Sequence, residues 1–530
     1  MGLEEELRRK GITFDGGLTS SLESIDPNGH AILRTAELHR SFTNLRDELL
    51  ENRESQQQFL DERNVPSFPT ASIDSDWKVT STLHPALETR HVEITGPVEI
   101  IDKALTTGAD NFMLCIEDAR ARTPESVDNT FVQARYAIDG TNENVQKSKT
   151  TITIRPAGLY SDSHMFVDGQ VVPATIYDSG MIFSLVAPEQ HRRGKPTSLY
   201  IPKFETGGGS RFLNTVIHDL IDGHMPVSQV QLSFLIENIM GIINMDDIIE
   251  GSKDMIIAAN VGRWDYTASI LNKFRAHGNM AMPDSDFLTM TTDFMIAYQK
   301  RFLYLCHKRG IQPIGGMAAQ VPTKDHPDRQ KMIDAVKADA LREVLMGFYG
   351  KWSAHPLTVP IIKEVFMEHM GGNSSQPYKW GHEPMVTVQQ LLQVPEGGIT
   401  YSGLVKDLRI QIEYIAHYRA GKGTFAMDGV SMVDLAIAEI GRNNTTHRLI
   451  NSVRLDDGRY VDNSLVYNAV GDAISQLKHN YNIERYKKAG FDEKAFGEAA
   501  NIVIQFIMGR YRNVQYFPRV LDPMLVGKAA

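Results

Sequence analysis

Between residues 91 and 352 the sequence repeats one unit eight times: a short β-rich run, a loop, and usually a longer segment able to cross over as a helix. The runs are His91 to Pro97, Phe112 to Asp118, Thr150 to Pro156, Ser198 to Phe204, Val230 to Asn238, Asp254 to Gly262, Ile311 to Met317 and Glu343 to Trp352. Eight units in this span match the size of a (β/α)8 TIM barrel, about 250 residues. A doubly wound open sheet gives a similar alternation, but no GxGxxG or GxxxxGK[ST] follows the first run, which weakens a nucleotide-fold reading.

The flanks read differently. Residues 30 to 62 carry Leu38, Phe42, Leu45 and Leu49 at helical spacing among charged residues, which predicts an amphipathic helix before the barrel. Beyond residue 400 the pattern is again helical, over Leu404 to Ala420, Met432 to Arg442, Ser464 to His479 and Glu493 to Met508. The expected α/β organisation is an N-terminal helical segment (1–75), a TIM-barrel catalytic domain (76–370), a linker rich in Gly, Ser, Pro and Gln (371–400), and a C-terminal helical domain (401–530).

Composition removes several classes of function. A formal charge of −10 supplies no basic stripe for a nucleic-acid backbone. No run of about 18 apolar residues is free of charge, so a membrane span is not expected. Cys115 and Cys306 form neither a CxxC pair nor a disulfide framework. The acidic start Met1-Gly2-Leu3-Glu4 lacks an apolar signal region, and the end Val526-Gly527-Lys528-Ala529-Ala530 is not an S-K-L address. These features together predict a cytoplasmic protein. Nothing in the sequence fixes its oligomeric state.

In a (β/α)8 barrel the chemistry sits at the carboxyl ends of the strands. Those ends are polar here: Glu117-Asp118, Arg155-Pro156, Lys203-Phe204-Glu205, Glu237-Asn238, Asn260 through Tyr266, Gly315 through Gln320, and Trp352-Ser353-Ala354-His355-Pro356. Proximity to solvent explains any one of them about equally well. Several acidic ends with an arginine among them point to a hard-metal site facing an anion. Without paired His or Cys, the oxygen ligands favour Mg2+ over zinc. Glu237 and Asp265 would neutralise such an ion, and Arg155 would stabilise negative charge developing beside it.

At these residues the chain resembles malate synthases of the short A type, from about residue 30 to 515. The resemblance is carried by Trp77-Lys78-Val79, Arg90 through Pro97, Ile154-Arg155-Pro156, Asn260-Val261-Gly262-Arg263-Trp264-Asp265-Tyr266, Gly315 through Gln320, Trp352 through Pro356, and Asp434 through Ile440. NxGRWDY is specific, whereas a lone RP or AHP carries little. The resemblance implies a Mg2+-dependent enzyme that condenses acetyl-CoA with glyoxylate to give malate and CoA. It further implies that Glu237 and Asp265 bind the metal, that Arg155 contacts glyoxylate and the enolate, and that Asp434 is the base. Backbone N–H groups from Gly262 through Arg263 and Trp264 to Asp265 would hold the glyoxylate carboxylate, with Glu117 and Asp118 beside the metal.

Taken without the resemblance, Asp434 reads as a helix cap or surface charge. Glu439 reads as half of a structural ion pair, Trp264 as a core aromatic, His355 as a hydrogen-bonded structural histidine or a contact to CoA, and Gly207-Gly208-Gly209 as a flexible loop in preference to a phosphate contact. Where the family has RPRGW and HSAGLN, this chain has Arg155-Pro156-Ala157-Gly158-Leu159 and Met255 through Asn260, and Thr424 replaces a family cysteine. Ala258 and Ala259 therefore predict an altered 2-oxo acid selectivity. Two rivals share features with this reading: a malyl-CoA or citramalyl-CoA lyase, and a non-catalytic barrel binding CoA or a partner. Asp434 and NxGRWDY favour the synthase.

Overall fold

The computed structural model describes residues 2–69, 75–138, 147–379, 386–481, 483–512, 514 and 516–526. In chain order its strands are β1 (Ile12–Phe14), β2 (Val92–Gly96), β3 (Asn111–Cys115), β4 (Thr151–Arg155), β5 (Asp162–Val167), β6 (Gln170–Pro173), β7 (Thr197–Ile201), β8 (Val230–Ile236), β9 (Ile256–Val261), β10 (Gln312–Ala318), β11 (Gly350–Ser353), β12 (Phe425–Met427) and β13 (Ser431–Val433). Strands β2, β3, β4, β7, β8, β9, β10 and β11 are paired in that order and close on themselves as a parallel barrel. The helix His30–Asp61 precedes the barrel, and Tyr401–Arg419, Leu435–Ile450, Asn463–His479 and Lys494–Ile507 follow it. No helix among the described residues is long and apolar enough to cross a membrane.

These strands form because they are buried on both faces, as parallel barrel strands must be. Every residue of β3, β4, β7, β8 and β9 is buried. A buried polar network fills the barrel toward the amino ends of the strands. Arg90 pairs with Glu93, donates to Ser233 Oγ and to Tyr200 Oη at 2.9 Å each, and Trp352 Nε1 donates to Glu93 at 3.0 Å. The conspicuous Arg90 through Pro97 stretch is thus partly a structural plug. Glu93→Ala would leave the Arg90 charge buried without its carboxylate, which costs about 3–5 kcal/mol. Urea denaturation of that variant is the check, and a loss under about 1 kcal/mol would contradict the plug.

The last run differs from the sequence reading. Glu343 lies in the helix Arg329–Met346, and β11 begins only at Gly350. The apolar residues Val344, Leu345 and Met346 gave that helix end the look of a strand. Two features were not anticipated. The hairpin β5–β6 is inserted after β4 and captures β1 as its third strand, with Phe14 opposite Met165. Met432 lies in β13, not in a helix, and the following helix starts at Leu435. Residues 380–385 of the expected linker lie outside the described residues, and the linker stretch contains a short helix at Val388–Leu391.

Candidate active site at the carboxyl end of the barrel

Six charged side chains converge just beyond the carboxyl ends of β3, β4, β7, β8 and β9. Glu117 and Asp118 follow β3 in a turn where Asp118 N–H donates to Cys115 Sγ at 3.3 Å. Arg155 is the last residue of β4, and its Nη2 contacts Glu117, Asp118 at 2.7 Å and Glu237 at 3.3 Å. Glu237 directly follows β8, and Asp265 lies in the first turn of the helix Arg263–Lys273 after β9. Gly262 is required for this approach, because a Cβ there would lie 2.7 Å from Glu237 Cβ. Lys203, beyond β7, places Nζ at 3.1 Å from both Glu117 and Asp118, 3.4 Å from Asp265 and 3.8 Å from Glu237.

All six are nearly excluded from solvent. Burial pushes the Glu237 carboxyl well up, against the pull of Lys203, and raises Asp265 in the same way. Burial also opposes the charge on Arg155, but Asp118, Glu117 and Glu237 outweigh it and hold the guanidinium protonated. Four carboxylates face two cations, an imbalance that a divalent cation would correct. The donor set is hard oxygen throughout. No group of three or more His, Cys, Asp or Glu converges as a metal cage among the described residues. A carboxylate pair such as Glu237 and Asp265, with water and substrate completing the shell, suits Mg2+ better than a cage does.

Above this cluster lies a cavity of about 450 Å³. Arg155, Glu237, Asp265 and Asp118 form its floor, while Thr424, Ser431, Met432 and Asp434 reach it from the C-terminal region. The hairpin β12–β13 is fastened there by Met432 N–H to the Ala319 carbonyl and Val321 N–H to the Val430 carbonyl, both 2.9 Å. Asp434 caps the helix Leu435–Ile450, accepting from Ile437 N–H at 3.3 Å, and also lines the cavity. The cap and cavity positions are therefore the same position. Burial, followed by the charges of Asp118 and Asp265, pushes its carboxyl up to about 7.

The helix Arg263–Lys273 begins at the cavity with Gly262 as its N-cap and no side-chain cap. Its first-turn N–H groups at Arg263, Trp264 and Asp265 have no carbonyl one turn earlier to bond, which makes this end receptive to an anion. Gly262 N–H is set apart from them, because it donates to Tyr298 Oη at 3.1 Å.

Two descriptions from characterised families match the chain: "Malate synthase, TIM barrel domain" over residues 151–394 and "Malate synthase, N-terminal domain" over 31–72. The "Malate synthase" of Myxococcus xanthus (strain DK1622) is 32% identical over 472 residues, covering 86% of each chain. The glyoxysomal malate synthase of Cucumis sativus is 31% identical over 88% of this chain and 86% of its own. "Malate synthase A" of Escherichia coli (strain K12) is 30% identical over 87% of this chain and 89% of its own. The chain belongs to the malate synthase family.

For this member of the malate synthase family, the structure brings Arg155, Glu237, Asp265, Glu117 and Asp118 into one cluster, with Asp434 lining the same cavity. Glu117 is in that cluster but does not itself line the cavity. Lys203 was visible in the sequence only as one polar strand end. Its signal appears in three dimensions, as a buried ammonium among four carboxylates on a non-glycine residue with φ of 56°.

Other residues take up different places from those expected. Trp264 is half-buried at the cavity wall rather than in the core, with the Arg263 guanidinium 3.7 Å from its ring centre. Gly207, Gly208 and Gly209 form the first turn of the helix Gly207–Ile221, where Gly207 N–H donates to Asp247 at 3.0 Å. Ala258 and Ala259 are fully buried in β9 and do not line the cavity, so the expected change in 2-oxo acid selectivity loses its structural basis. Glu439 pairs with Arg442 at 2.6 Å, as its structural reading anticipated. His355 Nδ1 accepts from Leu357 N–H at 3.2 Å, and the residue also lines the cavity, so its structural hydrogen bond and a place at the site coexist.

Proposed function

We propose that this cavity condenses acetyl-CoA with glyoxylate, and that Asp434, Arg155, Glu237 and Asp265 carry the reaction. The observation that supports this best is the placement of Asp434: a half-buried carboxyl with its pKa raised to about 7, lining the same cavity as a cationic guanidinium and an acidic cluster. As a member of the malate synthase family the chain is an acyltransferase that turns an acyl group into an alkyl group on transfer.

The methyl group of a thioester is a weak carbon acid, so its deprotonation needs both a positioned base and stabilisation of the enolate oxygen. Asp434 takes the methyl proton, and its raised basicity suits that task. Arg155 meets the developing enolate oxygen with a charge already fixed by Asp118 and Glu237. The free N–H groups at the start of the helix Arg263–Lys273 hold the glyoxylate carboxylate. Glu237 and Asp265 would hold Mg2+, which when bound supplies Lewis-acid polarisation of the aldehyde. The β12–β13 hairpin contributes Ser431 and Met432 to the cavity lining, and hydrolysis of the resulting thioester releases malate and CoA.

The same reading divides the chain into an N-terminal helical segment, a barrel at 76–370, a linker at 371–400 and a C-terminal helical domain that delivers the base. Cys115 and Cys306 are buried and free, which fits a reducing cytoplasm. The direct test supplies purified protein with acetyl-CoA, glyoxylate and Mg2+, follows thiol release and identifies the acid formed. Malate in equal amount to thiol is the expected result. Thiol release without glyoxylate, or no release at all, would refute the reading.

A further inference from the structure

Lys203 has backbone φ of 56°, in the left-handed region that costs a side-chain-bearing residue energy and is kept where surrounding contacts over-determine it. Two contacts hold the adjoining peptides. Lys203 N–H donates to Glu237 Oε1 at 3.2 Å, and the Lys203 carbonyl accepts from Arg53 Nη2 at 3.0 Å. Arg53 comes from the helix His30–Asp61, outside the barrel, yet its side chain is buried against the strand end. Its Nη1 lies 3.7 Å from Glu205, whose other oxygen is held by Lys273 at 2.7 Å.

We propose that Arg53 is a positioning residue of the active site: it locks the left-handed Lys203 backbone so that Lys203 N–H orients the Glu237 carboxylate for the divalent cation. The inference rests on the proposed metal role of Glu237 and adds to it a requirement from the N-terminal helix. Arg53 itself touches neither substrate nor metal ligand. Its effect passes through one carbonyl, one backbone conformation and one N–H.

The sign of the effect separates positioning from electrostatics. Removing a cation near an acidic cluster makes the local potential more negative, which by itself tightens metal binding. Loss of a lock does the opposite, because the carboxylate must be ordered when the ion binds.

The experiment titrates Mn2+ into metal-stripped full-length protein and counts free Mn2+ by electron paramagnetic resonance. Thermal melts verify that each variant is folded. Glu237→Gln in parallel tests the metal reading itself. Arg53→Met is expected to weaken Mn2+ binding about tenfold, and Arg53→Lys, which retains one donor, should recover part of the loss. Arg53→Met should also cost less in a Lys203→Gly background, because glycine adopts positive φ without strain. Unchanged or tighter Mn2+ binding by Arg53→Met would overturn the inference while leaving the metal reading intact. If that variant does not fold, Arg53→Lys binding Mn2+ as wild type does overturns it instead. Wild-type binding unaffected by Glu237→Gln would remove the metal reading and the inference together.

Discussion

Asp434→Asn protein should fold and bind both substrates close to normally, yet turn over at least about 10²–10⁴-fold more slowly, the usual contribution of a general base. Asparagine keeps the shape of the side chain and can still accept the Ile437 N–H that caps the helix. It cannot accept a proton from the thioester methyl group. Any exchange of those protons with deuterated solvent seen in the wild type should vanish in the variant. Arg155→Lys differs: it leaves the base but loses the planar fork beside Glu117, Asp118 and Glu237, so it should slow turnover without removing the proton acceptor.

The same substitution carries a stability signature with a definite sign. The Asp434 carboxyl goes from an ordinary value of 3.8 to about 7 in the fold. Between these pH values the native state binds more protons than the unfolded state, so metal-free stability falls as pH rises through this window. The cost is fully present above about 7 and absent below about 4. At about 1.4 kcal/mol per unit it reaches at most about 4 kcal/mol, and coupling to Asp118 and Asp265 reduces it. Asp434→Asn should therefore melt higher than wild type at pH 8 and show no such gain at pH 4. In the wild type, kcat/KM should fall on the acid side of pH 7, with the midpoint displaced downward when a cation sits near Asp265. Near-normal turnover by folded Asp434→Asn protein would end the assignment of the base.

The barrel was legible because burial on both faces leaves an unmistakable mark: β3 reads Asn-Phe-Met-Leu-Cys and β8 reads Val-Gln-Leu-Ser-Phe-Leu-Ile, each bounded by loop residues. Glu343 shows where that signal fails, since a helix end packed against β11 carries the same short apolar pattern as a strand. The polar residues following the strands were legible as a group because a barrel presents them at one rim. Their individual partnerships were not. No spacing in the sequence could place Lys203 Nζ among Glu117, Asp118, Glu237 and Asp265, since those contacts join four different strand ends. Nor could spacing bring Asp434 to the rim. That required the β12–β13 hairpin to dock beside Ala319 and Val321. The hairpin β5–β6 escaped notice because its residues are only partly buried and its partner, β1, lies far away at the start of the chain.

Metal removal should have the other large effect: chelation should abolish turnover, and added Mg2+ should restore it. The charge arrangement gives the reason. With Arg155 and Lys203 as the only cations contacting Glu117, Asp118, Glu237 and Asp265 among the described residues, two negative charges remain uncompensated if all four are ionised. In the metal-free protein burial and mutual repulsion raise the Glu237 and Asp265 carboxyls, so the uncompensated charge favours proton uptake there. Without the ion nothing in the cluster acts as a Lewis acid toward the aldehyde, so the metal-free state is unsuited to the chemistry. A divalent cation opposes that upward shift, so its binding is expected to release protons, and the melting temperature should rise with Mg2+ concentration. The stabilisation reaches about 2.7 kcal/mol at a hundredfold excess over Kd. Glu237→Gln and Asp265→Asn should each remove both the activity and this Mg2+-dependent stabilisation, since a neutral amide neither balances the ion's charge nor releases a proton. Calorimetry in buffers of different ionisation enthalpy reads the proton release directly. Full activity in stripped protein, or a melting temperature that ignores Mg2+, would show that Arg155 and Lys203 suffice for the cluster and that the carboxylate pair does not serve a metal.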